Sequence, residues 1–168
     1  ATGTKSFVVS STVDTTPPIV SISGAPLTWV RTNQVATVQC FDAGSGCNPA
    51  TYRYLLSATA LSACPASELS YTYGSSVTVA QHRWVCGFAR DNAGNQRVSS
   101  PAEFRVDKNI TSVTVSHVPQ QPTTLQGVTI TSAASDAESG MRQIRIFLDG
   151  SLMTTCSSSP CTFTEPFG

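Results

Sequence analysis

Charge is scarce in this chain: ten basic residues stand against ten acidic ones among 168, for a formal net charge of zero. No electrostatic footprint for nucleic acid or an anionic membrane surface follows from such a balance, so neither partner is expected. Long apolar runs are also missing. None approaches the ~18 residues of a membrane helix, so membrane insertion is not expected, and the N-terminus shows no basic stretch leading into an apolar one. Histidine is limited to His82 and His117, too few to complete zinc sites with the cysteine spacings described below. A Gly-x-Ser-x-Gly elbow is absent, and the few acidic residues sit on expected turns rather than facing each other across a cleft. Serine with His82 or His117 and an aspartate is therefore coincidence in a serine-rich chain, and no enzyme is expected.

What the chain does have is serine, threonine and short alternating apolar runs, without helical periodicity. Ile19 to Ser23, Val35 to Phe41, Thr51 to Leu56, Val77 to Ala80, His82 to Ala89 and Arg97 to Val106 each read as strands, as do Ser112 to Val118, Val128 to Ala134, Gln143 to Leu148, Leu152 to Thr155 and Cys161 to Thr164. Alternation places Ala36, Val38 and Cys40 on one buried face, and Trp84, Cys86 and Phe88 on another. Asp149-Gly150 is a hairpin signal. The expected fold is all-β, with tandem immunoglobulin-like sandwiches.

An internal echo organises these strands. Asp42-Ala43-Gly44-Ser45-Gly46 returns as Asp136-Ala137-Glu138-Ser139-Gly140, an offset of 136 − 42 = 94, and Val13-Asp14 returns as Val106-Asp107, an offset of 107 − 14 = 93. A period near that length suits a small domain reused, because a sandwich of the immunoglobulin type takes roughly 100 residues. The expected organisation is a closing or donor strand at 1–13, a first domain at 14–106 and a second, incomplete one at 107–168. Asp14-Thr15-Thr16-Pro17-Pro18 reads as a stiff interdomain linker.

Six cysteines, Cys40, Cys47, Cys64, Cys86, Cys156 and Cys161, point to disulfides and an oxidising, extracellular compartment. Cys156 and Cys161 flank a short loop and are expected to bond to each other. Spacing alone leaves the other four open.

Asp14 to Pro18, Cys40 to Cys47 with its Asp-Ala-Gly-Ser-Gly core, and Asp91-Asn92-Ala93-Gly94-Asn95 together resemble the Ig-like repeat domains of large bacterial and archaeal cell-surface proteins. Residues Asp136 to Gly140, Asp149-Gly150 and Cys156 to Cys161 resemble another repeat of the same broad group. The resemblance implies a stalk, spacer, fibre subunit or adhesin at the cell surface, with adjacent repeats or copies of the same chain as partners. It favours Cys40 to Cys47, leaving Cys64 to Cys86; the alternative is a cross-sheet Cys40 to Cys86 bond.

Several residues carry a functional reading beside a plainer one. No cofactor is expected: Asp14, Asp42, Asp91, Asp107 and Asp136 offer oxygen ligands for calcium, but Asp, Asn, Ser and Gly are also ordinary turn formers that satisfy local donors without an ion. Trp29 on a loop is open as a glycan platform, the feature that marks an adhesin or carbohydrate-binding accessory module. Asn109-Ile110-Thr111 is an acceptor sequon for glycosylation. Phe7, Val8, Val9 and Val13 make Thr4 to Val13 a candidate donor strand for an open edge in a second domain.

Overall fold

The computed structural model describes residues 13–109, 112–121 and 126–165. The chain divides into two compact units with the boundary between Val106 and Asp107. Phe7, Val8 and Val9 lie outside the described residues; Val13 is exposed.

Unit 1 runs through β1 (Ile19–Ser23), β2 (Gln34–Phe41), β3 (Cys47–Ser57), β4 (Thr72–Tyr73), β5 (Ser76–Val79), β6 (Arg83–Asp91), β7 (Gln96–Val98) and β8 (Ala102–Phe104). One sheet has the order β1-β2-β5; the other has β4-β3-β6-β7, with β8 also on β6. All these pairings are antiparallel. The sheets form a sandwich because each contributes alternate apolar residues to one interior. Ala36, Val79, Val85, Phe104 and Val106 make one cluster, and Val20, Val38 and Ala89 another.

Gly87 shows how closely the layers approach: a Cβ there meets Ile22 Cδ1 at 3.0 Å and Val38 Cγ1 at 3.2 Å. Its N–H donates to the Ser99 hydroxyl at 2.9 Å, and the Ser99 N–H donates to the Gly87 carbonyl at 2.9 Å. That exchange, followed by Pro101 with no donor of its own, breaks the expected closing strand at 97–106 into β7 and β8.

As expected, Cys86 and Phe88 share a buried face of β6, but it is not the face that looks into the sandwich. Val85, Gly87 and Ala89 face the sandwich interior, whereas Cys86 and Phe88 are buried on the opposite side beneath Tyr71, Leu61 and Cys64. Trp84 is half-buried rather than a core residue. The connection from Ser57 to Tyr71 covers this second face, so both faces of β6 are dry. Glu68, on a short 3-10 turn at Glu68–Ser70, ties this connection down by ion pairs to Arg53 at 2.8 Å and Arg90 at 2.6 Å. Tyr71 donates its hydroxyl to the Pro65 carbonyl at 2.8 Å, and burial pushes its pKa up to about 12.

Unit 2 contains β9 (Ser112–Val118), β10 (Val128–Ser135), β11 (Ile144–Leu148), β12 (Ser151–Cys156) and β13 (Cys161–Glu165). Its sheet β13-β10-β9 repeats the order of β5-β2-β1. The register repeats as well. Val20 opposite Cys40 and Ile22 opposite Val38 return as Val113 opposite Ala134 and Val115 opposite Ser132. Ala36 opposite Val77 returns as Ile130 opposite Phe163. Facing this sheet is the hairpin β11-β12, which buries Ile144 and Ile146 against Cys161, Ile130 and Phe163.

Three disulfides clamp the units: Cys40 to Cys47, Cys64 to Cys86 and Cys156 to Cys161. No described cysteine is free. The cross-sheet bond between Cys40 and Cys86 does not form, because Cys86 points away from the interior toward Cys64. The bridges fit an oxidising environment. Among the described residues, no helix is long and apolar enough to cross a membrane.

Candidate functional site

The stretch from Asp14 to Pro18, expected as an interdomain linker, is docked on unit 1. Pro18 is fully buried, and the Asn95 side-chain amide donates to the carbonyl oxygens of Asp14 at 3.0 Å and Thr16 at 3.4 Å. Two prolines remove two backbone donors from the stretch, so its carbonyls are what a neighbouring amide can hold.

Docking brings three of the five candidate aspartates together. Asp14, Asp42 and Asp91 each place a carboxylate oxygen within 4.8 Å of the others. Each oxygen set has a protein donor. Asp14 accepts from the Thr16 N–H at 2.9 Å and the Ser45 N–H at 2.8 Å. Asp42 accepts from the Gly46 N–H at 2.7 Å. Asp91, almost fully buried, accepts from the Asn95 N–H at 2.8 Å and from its side-chain amide at 2.7 Å. The Asn92 side chain closes the ring by donating to the Ser45 carbonyl at 2.9 Å. A cleft of about 520 Å³ lined by Val13, Asp14, Gly44, Ser45, Asn92 and Ala93 opens beside the cluster.

The N–H groups of Thr16 and then Ser45 hold the Asp14 carboxyl below its ordinary value of 3.8. Gly44 leaves room for this packing: a Cβ there would meet the Asp14 carboxylate, whose Cγ is 2.7 Å from it, and the aspartate would have to shift.

Unit 2 carries part of the same clasp. Asp107 accepts from the Ser139 N–H at 3.2 Å and the Asn109 N–H at 2.8 Å, as Asp14 does from Ser45 and Thr16. Asp136 accepts from the Gly140 N–H at 3.1 Å, as Asp42 does from Gly46. Gly46 and Gly140 share a positive φ, 78° and 79°, which a side chain would strain. The Ser139 side chain first, then the Asn109 N–H, holds Asp107 below its ordinary value. Among the described residues no third acidic group joins Asp107 and Asp136.

The remaining candidates are dispersed. Trp29 is half-buried and packs against His82, with ring centroids 4.9 Å apart and the planes tilted by 60°. His82 pairs with Glu103 at 3.0 Å rather than with an aspartate, and Glu103 also pairs with Arg105 at 2.8 Å. Asn109 is exposed, its own N–H held by Asp107; the rest of its sequon lies outside the described residues.

Sequence reasoning marked Asp91 to Asn95 as a turn but missed what Asn92 and Asn95 reach. Their contacts span 47 and 81 residues. The signal for them is their place inside the Asp-Asn-Ala-Gly-Asn motif, since a turn needs only one Asx residue and this one has three.

No family model, curated protein or solved structure matches the chain. What the geometry supplies is a repeated clasp: Asp14 in unit 1 and Asp107 in unit 2 each pin the Asp-Ala-x-Ser-Gly loop of the same unit.

Proposed function

We propose that the chain is a structural segment of a secreted, repetitive surface protein, a stalk, spacer or fibre subunit built from tandem Ig-like sandwiches. The observation that carries this reading is the recurrence of the Asp14 clasp as the Asp107 clasp, together with the same sheet order and register in both units. A repeated entry clasp joins each unit's first residues to its own loop, so that load entering along the chain meets hydrogen bonds and a packed sandwich at once. Disulfides then limit how far a unit extends if it yields.

Two measurements test this. Antibodies against the chain should label intact, unpermeabilised source cells; labelling that requires permeabilisation overturns the surface assignment. In force spectroscopy, reduction should lengthen the extension of unit 1. The bonds shortcut 7 and 22 residues, and at ~3.5 Å per extended residue this releases roughly 90 Å after subtracting the bridged spans. Unit 1 yielding without resistance before and after reduction would remove the mechanical role.

A further inference from the structure

The two clasps differ in what closes their loops. Asp42 to Gly46 crosses from the end of β2 in one sheet to the start of β3 in the other, and Cys40 and Cys47, seven positions apart, bridge the two ends of that crossing. At the 94-residue offset they answer to Ala134 and Met141, so the loop of unit 2 carries no bridge. Inside the bridged ring lies every loop group that the clasp uses. The Ser45 N–H donates to Asp14 at 2.8 Å, and the Asp42 carboxylate takes the Gly46 N–H at 2.7 Å. The Ser45 carbonyl accepts from the Asn92 side chain at 2.9 Å and the Gly46 carbonyl from the Asn92 N–H at 2.8 Å. Of the three bridges this is the one with neither cysteine buried, whereas Cys86 and Cys161 are fully covered.

We infer that the Cys40/Cys47 bridge and the docking of Asp14 to Pro18 are coupled, so that the redox state of this one disulfide sets whether the entry segment of unit 1 is docked or free. With glycine at 44 and 46 the open loop has many conformations to lose, and the bridge removes most of them before Asp14 arrives. Once the ring opens, Asp14 and Asn92 alone must order the loop. Two constraints that order the same residues reinforce each other, and the effect is reciprocal: the closed ring favours docking by the factor by which docking favours the closed ring. Opening is a two-electron exchange. A thiolate of a small dithiol attacks the sulfur of Cys40 or Cys47, and its second thiol then displaces the mixed disulfide. The dithiol gives up two electrons and two protons and ends as a ring disulfide, leaving Cys40 and Cys47 as thiols. In a reducing compartment Asp14 to Pro18 is then a free linker; in an oxidising one it is part of the sandwich. The coupling belongs to unit 1 alone and does not rest on the stalk reading.

The test uses the full chain and two variants with folding checked by circular dichroism. Cys40→Ser with Cys47→Ser holds the ring open. NMR should then find the Ser45 N–H exchanging roughly tenfold faster or more, within the usual span of such couplings, and the contacts from the Asn95 side-chain amide to Asp14 and Thr16 lost. The Ser139 N–H, held by Asp107, and the Gly87 N–H, held by Ser99, should exchange as before. In the other direction, Asp14→Ala removes the docking acceptor. The chains are equilibrated with a small dithiol and its disulfide at graded ratios, alkylated and mapped by mass spectrometry. Asp14→Ala should lose the Cys40/Cys47 bridge at a ratio roughly tenfold less reducing than the unaltered chain, with Cys64/Cys86 opening at an unchanged ratio. Protection of Ser45 and Asn95 contacts that survive in the serine variant, or a Cys40/Cys47 ratio that Asp14→Ala does not move, overturns the coupling. So do equal shifts at both bridges, which mark a general loss of stability. If the serine variant does not fold, the redox titration decides alone. None of these results touches the stalk reading, whose tests are surface labelling and the extension of unit 1.

Discussion

The Asp14 carboxylate accepts the Ser45 N–H at 2.8 Å, and Asp107 holds Ser139 in the same way at 3.2 Å. The longer contact coincides with a substitution between the two loops. Gly44 gives Asp14 room to approach, while the corresponding residue of unit 2 is Glu138, whose N–H turns to Asp136 at 3.1 Å. A Cβ at this position competes with the clasp, so the loop of unit 2 sits slightly farther from its aspartate.

The clasps make stability fall in acid. Asp14 and Asp107 are held below 3.8 by their N–H and side-chain donors, and Glu68 and Glu103 below 4.5 by Arg90 and Arg105. Each group binds its proton less readily folded than unfolded. Its contribution is therefore complete above the ordinary value and disappears as pH falls through the lower folded value. Melting temperature should be level well above pH 4.5 and drop below it, and Asp14→Asn should lower the plateau and flatten part of that drop for unit 1. A variant with the same acid profile as the unaltered chain would show that the clasp carries no linkage.

Gly87→Val tests the closeness of the two sheets in unit 1. The first added carbon already meets Ile22 at 3.0 Å and Val38 at 3.2 Å, and valine adds two more into the same space. Overpacking of a well-filled core costs about 1–3 kcal/mol. Chemical denaturation should show a loss of that order, and a neutral result would mean that the sheets separate easily.

How far these features were legible follows from their range. The alternation of β1, β2, β9 and β10 was readable because one face of each is polar. That of β6 was readable as a strand with Cys86 and Phe88 on one buried face, but residues 85 to 89 are buried on both sides, and period two cannot tell which apolar face looks inward. What settles it is the connection carrying Cys64 and Tyr71, whose irregular sequence announces neither its path nor the short strand β4. The candidate aspartates were visible as turn residues. Their convergence was not, because Asp14, Asp42 and Asp91 meet only once β1, β2 and β6 are stacked. Pro17-Pro18 reads as a linker and says nothing about docking; it is Asn95 that holds the segment down.

The two disulfides of unit 1 should differ in weight. Closing 22 residues constrains the unfolded chain more than closing 7, by the loop-entropy relation about 3 kcal/mol against about 2. Replacing Cys64 and Cys86 also removes sulfur packed under Tyr71 and Phe88, which adds a cavity cost. Serine pairs at each bridge, compared by urea unfolding, should place the Cys64/Cys86 variant lower. The reverse order would show that the loop between Cys40 and Cys47, with its clasp, is the weaker point of the unit.

Calcium should have little effect on stability. The expectation turns on how the aspartates of unit 1 are already occupied. Asp14, Asp42 and Asp91 converge within 4.8 Å, yet N–H groups from Thr16, Ser45, Gly46 and Asn95, with the Asn95 amide, already point at their oxygens. These donors offset the mutual repulsion of the carboxylates without an ion. A calcium site draws on 6–8 oxygens, and donors directed at the same carboxylates compete with the metal for their lone pairs. Thermal unfolding in EGTA and in millimolar calcium should therefore agree within about 2 °C, a span worth well under 1 kcal/mol for a domain of ~100 residues. An ion present at a hundred times its dissociation constant adds about 2.7 kcal/mol, which such a domain registers as a rise of roughly ten degrees or more. A rise of that size, abolished by Asp91→Asn, would show that the three carboxylates are held together for a metal and that the loop donors only orient them.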